Sequence, residues 1–184
     1  TLSLWVKPIV VGNSFIALII KNYNYILYAS TLTCGPTGGI IINGPFLACN
    51  STLLTPNVWA YLTMTFNGDT VLLYKNAVLI GTFQLAATAF LPETTGTLQM
   101  GASQFGEGLV GDVDEVRIYN VPIPVNNGTG DNCTDTLPSI TRDMNCPVED
   151  TPAVPPAPPS GLKFGSSGQL NLGDKYIGIG TVVH

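Results

Sequence analysis

The residues best able to do chemistry in this chain are its cysteines, three Asn-x-Ser/Thr tripeptides and a pair of alternating aspartates. Cys34, Cys49, Cys133 and Cys146 fall as two local pairs, and the segments between them are rich in Gly, Pro, Asn and Thr. An even cysteine count in loop-rich surroundings points to disulfides, with three connectivities open to the set; local pairing, Cys34 with Cys49 and Cys133 with Cys146, is the expectation. Zinc is the competing chemistry, but the C-x2–4-C ligand spacing is absent and the single histidine, His184, stands at the far end. The tripeptides begin at Asn50, Asn127 and Asn132. Such triplets also arise by chance in an Asn- and Thr-rich chain. All three fall in predicted loops, where sugar is accommodated, so N-linked glycosylation is expected at two or more.

Asp112 and Asp114 are expected on one strand face, the arrangement from which sandwich glycosidases build acid and nucleophile pairs. Glu115 is expected on the opposite face, so no third carboxylate follows in register. His184 has no Ser or Cys partner in recognisable context, and Gly165-Ser166-Ser167-Gly168 lacks the Lys-Ser/Thr and helix of a phosphate loop. The expectation is a protein that is not an enzyme and holds no cofactor.

Composition narrows the classes further. The chain has 184 residues with 45% hydrophobic and only 10% charged, enough for a core and too apolar for a disordered tail. Seven Lys+Arg against twelve Asp+Glu give a net charge of -5, which leaves no basic stripe for nucleic acid. No run approaches the ~18 apolar residues of a membrane span. The chain opens on Thr1-Leu2-Ser3-Leu4-Trp5-Val6, which reads as mid-strand, so any targeting segment is expected to have been removed ahead of it. A surface so poor in charge needs another source of solubility, either sugar or burial in an assembly.

The elements that must position these residues are strands. Short apolar or alternating runs separated by turn signals predict strands at Leu2–Val6, Ser14–Ile20, Tyr25–Ala29, Gly39–Ile42, Trp59–Phe66, Thr70–Lys75, Val78–Gln84, Thr97–Met100 and Val113–Tyr119. Asn67-Gly68-Asp69 is the strongest hairpin signal, because Asn and Gly tolerate positive φ. Ala60, Leu62, Met64 and Phe66 form the expected core face of their strand. The body, 1–124, is followed by a disulfide-stapled, Pro-rich linker, 125–160, whose proline run favours a semi-rigid extended spacer. The tail, 161–184, returns to strand character at Leu162, Phe164, Leu170, Leu172, Tyr176, Ile177, Ile179 and Val182, and needs a sheet to join.

Trp59-Ala60-Tyr61-Leu62-Thr63-Met64-Thr65-Phe66-Asn67-Gly68, Leu73-Tyr74-Lys75-Asn76 and Gly111-Asp112-Val113-Asp114-Glu115-Val116-Arg117-Ile118-Tyr119-Asn120 together resemble the laminin-G-like and pentraxin-like family of concanavalin-type jelly rolls. Leu4-Trp5-Val6-Lys7-Pro8 resembles its early core strand and Met100-Gly101-Ala102 a later one; Ala77 departs from the glycine usual after Asn76. The resemblance implies an all-β, concanavalin-like jelly-roll sandwich of two antiparallel sheets, with the Pro-rich linker and β-strand tail appended. It also implies that Asp114-Glu115-Val116-Arg117 is chiefly a structural signature. The segment from Gly161 to Asp174 is similar to one that precedes the Trp strand in that family, so the order is permuted here.

A body lacking its first strands leaves unpaired amides and an open core face. The tail can fill the gap in its own copy, fill it in a neighbouring copy, or mark one repeat of a tandem adhesin. Extended at ~3.1 Å per residue, the linker reaches on the order of 110 Å past a body of roughly 40 Å, so reach decides nothing. A proline spacer opposes sharp reversal, and a head-to-tail contact that does not close makes a filament. The expectation is therefore an extracellular, glycosylated fibre subunit whose partners are identical copies. The alternative is a monomeric lectin-like module for glycan or protein, using Tyr23, Tyr25 or Tyr28 for stacking, or structural calcium on Asp69, Asp112, Asp114 or Asp174. Calcium's need for six to eight oxygens weighs against the last.

Overall fold

In the computed structural model of the chain, the first strand turns Leu2, Leu4 and Val6 into the core and Ser3, Trp5 and Lys7 to its other side, as period-two alternation requires. The structure describes residues 1–12, 14–21, 24–41, 45–85, 95–102, 106, 108–126, 138–146, 162–164 and 170–171, with 40–41, 45–47, 162–164 and 170–171 described by backbone alone. The strands are β1 (Leu2–Pro8), β2 (Ile16–Lys21), β3 (Tyr25–Ser30), β4 (Thr37–Ile41), β5 (Pro45–Cys49), β6 (Ala60–Phe66), β7 (Thr70–Lys75) and β8 (Val78–Gln84). They continue with β9 (Leu98–Met100), β10 (Gly111–Ile118), one short helix α1 (Ile140–Asn145), β11 (Leu162–Phe164) and β12 (Leu170–Asn171). No described helix is long and apolar enough to cross a membrane.

Two sheets form. One runs β12-β11-β10-β1-β6-β7-β8 and the other β5-β4-β3-β2-β9, with every recorded pairing antiparallel. Their inner faces meet in a core containing Leu4, Val6, Leu18, Leu27, Leu62, Leu73 and Val113, as a sandwich requires. Ala60, Leu62 and Met64 are buried there and Phe66 packs against it, the face expected from alternation. Their neighbours Tyr61, Thr63 and Thr65 are buried too, because the outer face of the seven-stranded sheet is also covered. Its cover at Tyr61 is Ile123, Ile140 and Met144, the last two from α1, with Trp5, Tyr74 and Tyr119 packed alongside. Sequence reading placed α1 inside the linker and assigned it no helix.

Two turns carry the hairpins. In the β6–β7 turn the Asn67 Oδ1 accepts from Asp69 N at 3.2 Å and Thr70 N at 2.8 Å, while Gly68 takes φ 106°. In the β7–β8 turn both Asn76 (φ 49°) and Ala77 (φ 61°) are left-handed, so the alanine keeps the conformation that glycine adopts more readily.

Candidate functional site

The site to which these elements lead is the edge of β10. One side of β10 pairs with β1, from Leu2 opposite Ile118 to Pro8 opposite Gly111. Its other side pairs with β11, Gly111 opposite Phe164, Asp112 opposite Lys163 and Val113 opposite Leu162. β12 then adds to β11, with Phe164 opposite Leu170 and Lys163 opposite Asn171. Of the expected tail residues, Leu162, Phe164 and Leu170 are thus in strands continuous with the β10 sheet; Leu172, Tyr176, Ile177, Ile179 and Val182 lie outside the described residues.

Local chemistry fixes the shape of this edge. Gly111 lies so close to the backbone of Lys7 and Pro8 that an added Cβ would come within 2.9 Å of Pro8 Cα. Asp112 accepts an ion pair from Lys7 at 3.1 Å, and the Lys7 ammonium lies 5.6 Å from the centre of the Trp59 ring. Val113 points into the core. Beyond it the register slips between Ser3 and Trp5, so Glu115 and Val116 together oppose Leu4, a β-bulge, and Glu115 takes φ 51°. The bulge corrects the strict alternation expected for Glu115. Its carboxylate reaches Arg117 at 2.9 Å on the sheet's outer side instead of lying alone on the opposite face.

Arg117 is the anchor for α1. Its guanidinium donates to the carbonyls of Asp143 (2.5 Å) and Cys146 (3.0 Å), and the Tyr119 hydroxyl donates to Asp143 Oδ2 at 2.6 Å. Burial, then the hydrogen bond to Asp143, pushes the Tyr119 phenol well above its ordinary value. Burial works against the Arg117 charge, but Tyr61, Asp143 and Glu115 around it leave its pKa raised. Ser139 caps α1 by accepting from Arg142 N at 3.0 Å.

The remaining expected residues distribute as follows. Cys34 and Cys49 are disulfide-bonded with Cα atoms 6.0 Å apart. Cys146 is also in a disulfide, and Cys133, its expected partner, lies outside the described residues, as do Asn127 and Asn132. Asn50 donates through Nδ2 to Ile80 O at 3.0 Å and accepts at Oδ1 from Thr52 N at 2.8 Å, tying the end of β5 to β8 across the two sheets. Asp69 accepts from Thr70 Oγ1 in its turn and Asp114 from Glu115 N on β10, so with Asp112 these carboxylates are engaged locally; Asp174 is outside the described residues. Among the described residues no group of three His, Cys, Asp or Glu could hold a metal. Tyr28 is buried against Phe15, with ring centres 5.5 Å apart, and offers no free stacking face, while Tyr25 is half-buried against the core; Tyr23 is not among the described residues.

Sequence reasoning missed α1, though Ser139 ahead of an apolar residue was an available N-cap signal. It also missed β5, whose Pro45 and Cys49 read as loop punctuation between the cysteines.

The fold is similar to that of domain 4 of AbnA, a GH43 extracellular arabinanase from Geobacillus stearothermophilus, solved in complex with arabinotriose. The two are 16% identical with a TM-score of 0.51, over 61% of this chain and 56% of that one. No curated protein sequence matches the chain. The profile of the concanavalin A-like lectin/glucanases superfamily, in its laminin-G form, matches residues 1–126. That stretch holds the sandwich from β1 through β10, and the chain belongs to this family.

Proposed function

We propose that the chain is a structural subunit of an extracellular, glycosylated fibre, in which the tail 161–184 of one copy completes the β10 edge of the next. The observation that carries this reading is the pairing of Leu162–Phe164 with Gly111–Val113, by which a segment beyond the family's match extends the sheet at its β10 edge. In the single chain the strand is drawn from the same copy. The edge offers the same amides and carbonyls to a strand from a neighbour, the main-chain recognition of strand addition. The proline-rich stretch 152–159 favours projection over reversal. A copy that donates one strand and accepts another repeats without closure, so the product is a filament. The permuted order that the resemblance implies for the tail segment would fit such exchange.

The disulfide between Cys34 and Cys49 supports an oxidising, extracellular setting. Glycosylation at Asn50, Asn127 and Asn132 would give solubility to a surface with 10% charged residues in the chain. Deletion of residues 161–184 tests the reading by electron microscopy: full chains form filaments and truncated chains do not. Truncated chains that still polymerise contradict it.

A second reading, a lectin-like glycan-binding module, is favoured by the likeness to a domain solved with arabinotriose. Calorimetric titration of the full chain with arabino-oligosaccharides tests it; saturable heat supports it and its absence removes that ligand class.

A further inference from the structure

Three consecutive positions on the β10 edge offer an incoming strand three different environments. Val113 is 1% exposed and belongs to the core. Asp112 lies on the outer side, where Lys7 already holds it at 3.1 Å. Gly111 is pressed against the Lys7 and Pro8 backbone and has no room for a side chain of its own. Antiparallel to them stand Leu162, Lys163 and Phe164: apolar opposite apolar, cation opposite anion, aromatic opposite glycine.

We propose that Gly111-Asp112-Val113 is a reading frame that selects the register and identity of the completing strand, with Asp112 opposite Lys163 as the specificity-determining pair. This rests on the proposed role of the tail as the strand that completes the sandwich. Cross-strand partners of opposite charge stabilise a pairing and like charges oppose it, whereas main-chain bonds alone do not distinguish one register from the next. A slip by one residue brings Lys163 opposite Val113 or Gly111 and turns the faces of Leu162 and Phe164 over. On the far side of β11, Lys163 stands opposite neutral Asn171, which leaves Asp112 as its charged counterpart in the ladder. The order apolar-Lys-apolar also occurs once in the tail, since the other lysine there, Lys175, follows Asp174.

Hydrogen exchange of the full chain tests the pair, read at the amides of 162–164 with those of β1 as an internal measure of the body's integrity. The wild type is expected to protect 162–164. Lys163→Asp, which alters no residue of the body, and Asp112→Lys are each expected to speed exchange there by roughly fivefold or more. The exchanged pair Asp112→Lys with Lys163→Asp is expected to recover part of the protection, since it restores opposite charges across the ladder while Lys7 keeps a like charge beside it. Equal protection in all four chains overturns the charge reading and leaves the strand in place. Exchange of 162–164 in the wild type at the rate of an unstructured peptide overturns this inference together with the role proposed for the tail.

Discussion

Ala77 holds φ 61° in the β7–β8 turn, a conformation in which a Cβ crowds the following carbonyl. Replacing it with glycine removes that crowding, so Ala77→Gly is predicted to raise stability by about 1 kcal/mol in urea unfolding. Asn50 makes the opposite kind of contribution. Its side chain joins Ile80 O and Thr52 N, so Asn50→Gln is predicted to cost about 1–2 kcal/mol and also to remove the attachment point for sugar. Thr52→Ala separates the two effects. It abolishes the tripeptide while leaving the Thr52 amide, so intact mass after secretion should fall by one glycan with little change in unfolding. Both residues were legible in the sequence as chemistry, Asn50 as a sequon and Ala77 as a departure from glycine. That Asn50 also ties the two sheets together was not legible, because Ile80 reaches it only through the stacking of β5 on β8.

At the scale of elements, period-two alternation made the strands readable, and β6 shows why: Leu62 and Met64 must face one sheet and Tyr61 and Thr63 the other side. What alternation could not give was the burial of that other side. Thr63 and Thr65 look like solvent-facing residues yet are buried, on the same side as Tyr61, which α1 and Ile123 cover. The helix escaped because six residues are too few to show a helical period, and the bulge at Glu115 escaped because nothing local in Asp114-Glu115-Val116 marks it. Attachment of α1 has a pH signature. In the folded chain the Tyr119 pKa is raised above the 10.0 of the free phenol. Such a group contributes stability that is fully present below the unfolded pKa and is lost as pH rises through the folded value. Unfolding midpoints are therefore predicted to hold up to about pH 10 and decline above it, and Tyr119→Phe is predicted to make the alkaline decline shallower. An unchanged slope would mean that the phenol at Asp143 does not couple to folding.

For the molecule as a whole, the family and the sandwich follow from residues 1–126, while the tail's destination depends on a choice that a strand's own sequence does not make. Main-chain pairing at the β10 edge is the same whether β11 comes from the same copy or from a neighbour, so local energetics are matched and only connectivity differs. Cys34–Cys49 and the docked α1 keep the body intact in either case. Chains carrying Asp112→Cys and a mass tag, mixed during assembly with untagged chains carrying Lys163→Cys, decide between the two, because these positions face each other across the ladder at a separation a disulfide can span. Strand exchange predicts a tagged–untagged disulfide dimer on a non-reducing gel, absent when either population is oxidised alone. No mixed dimer, together with a bond formed only within the chain when both cysteines are placed in one copy, would contradict the fibre.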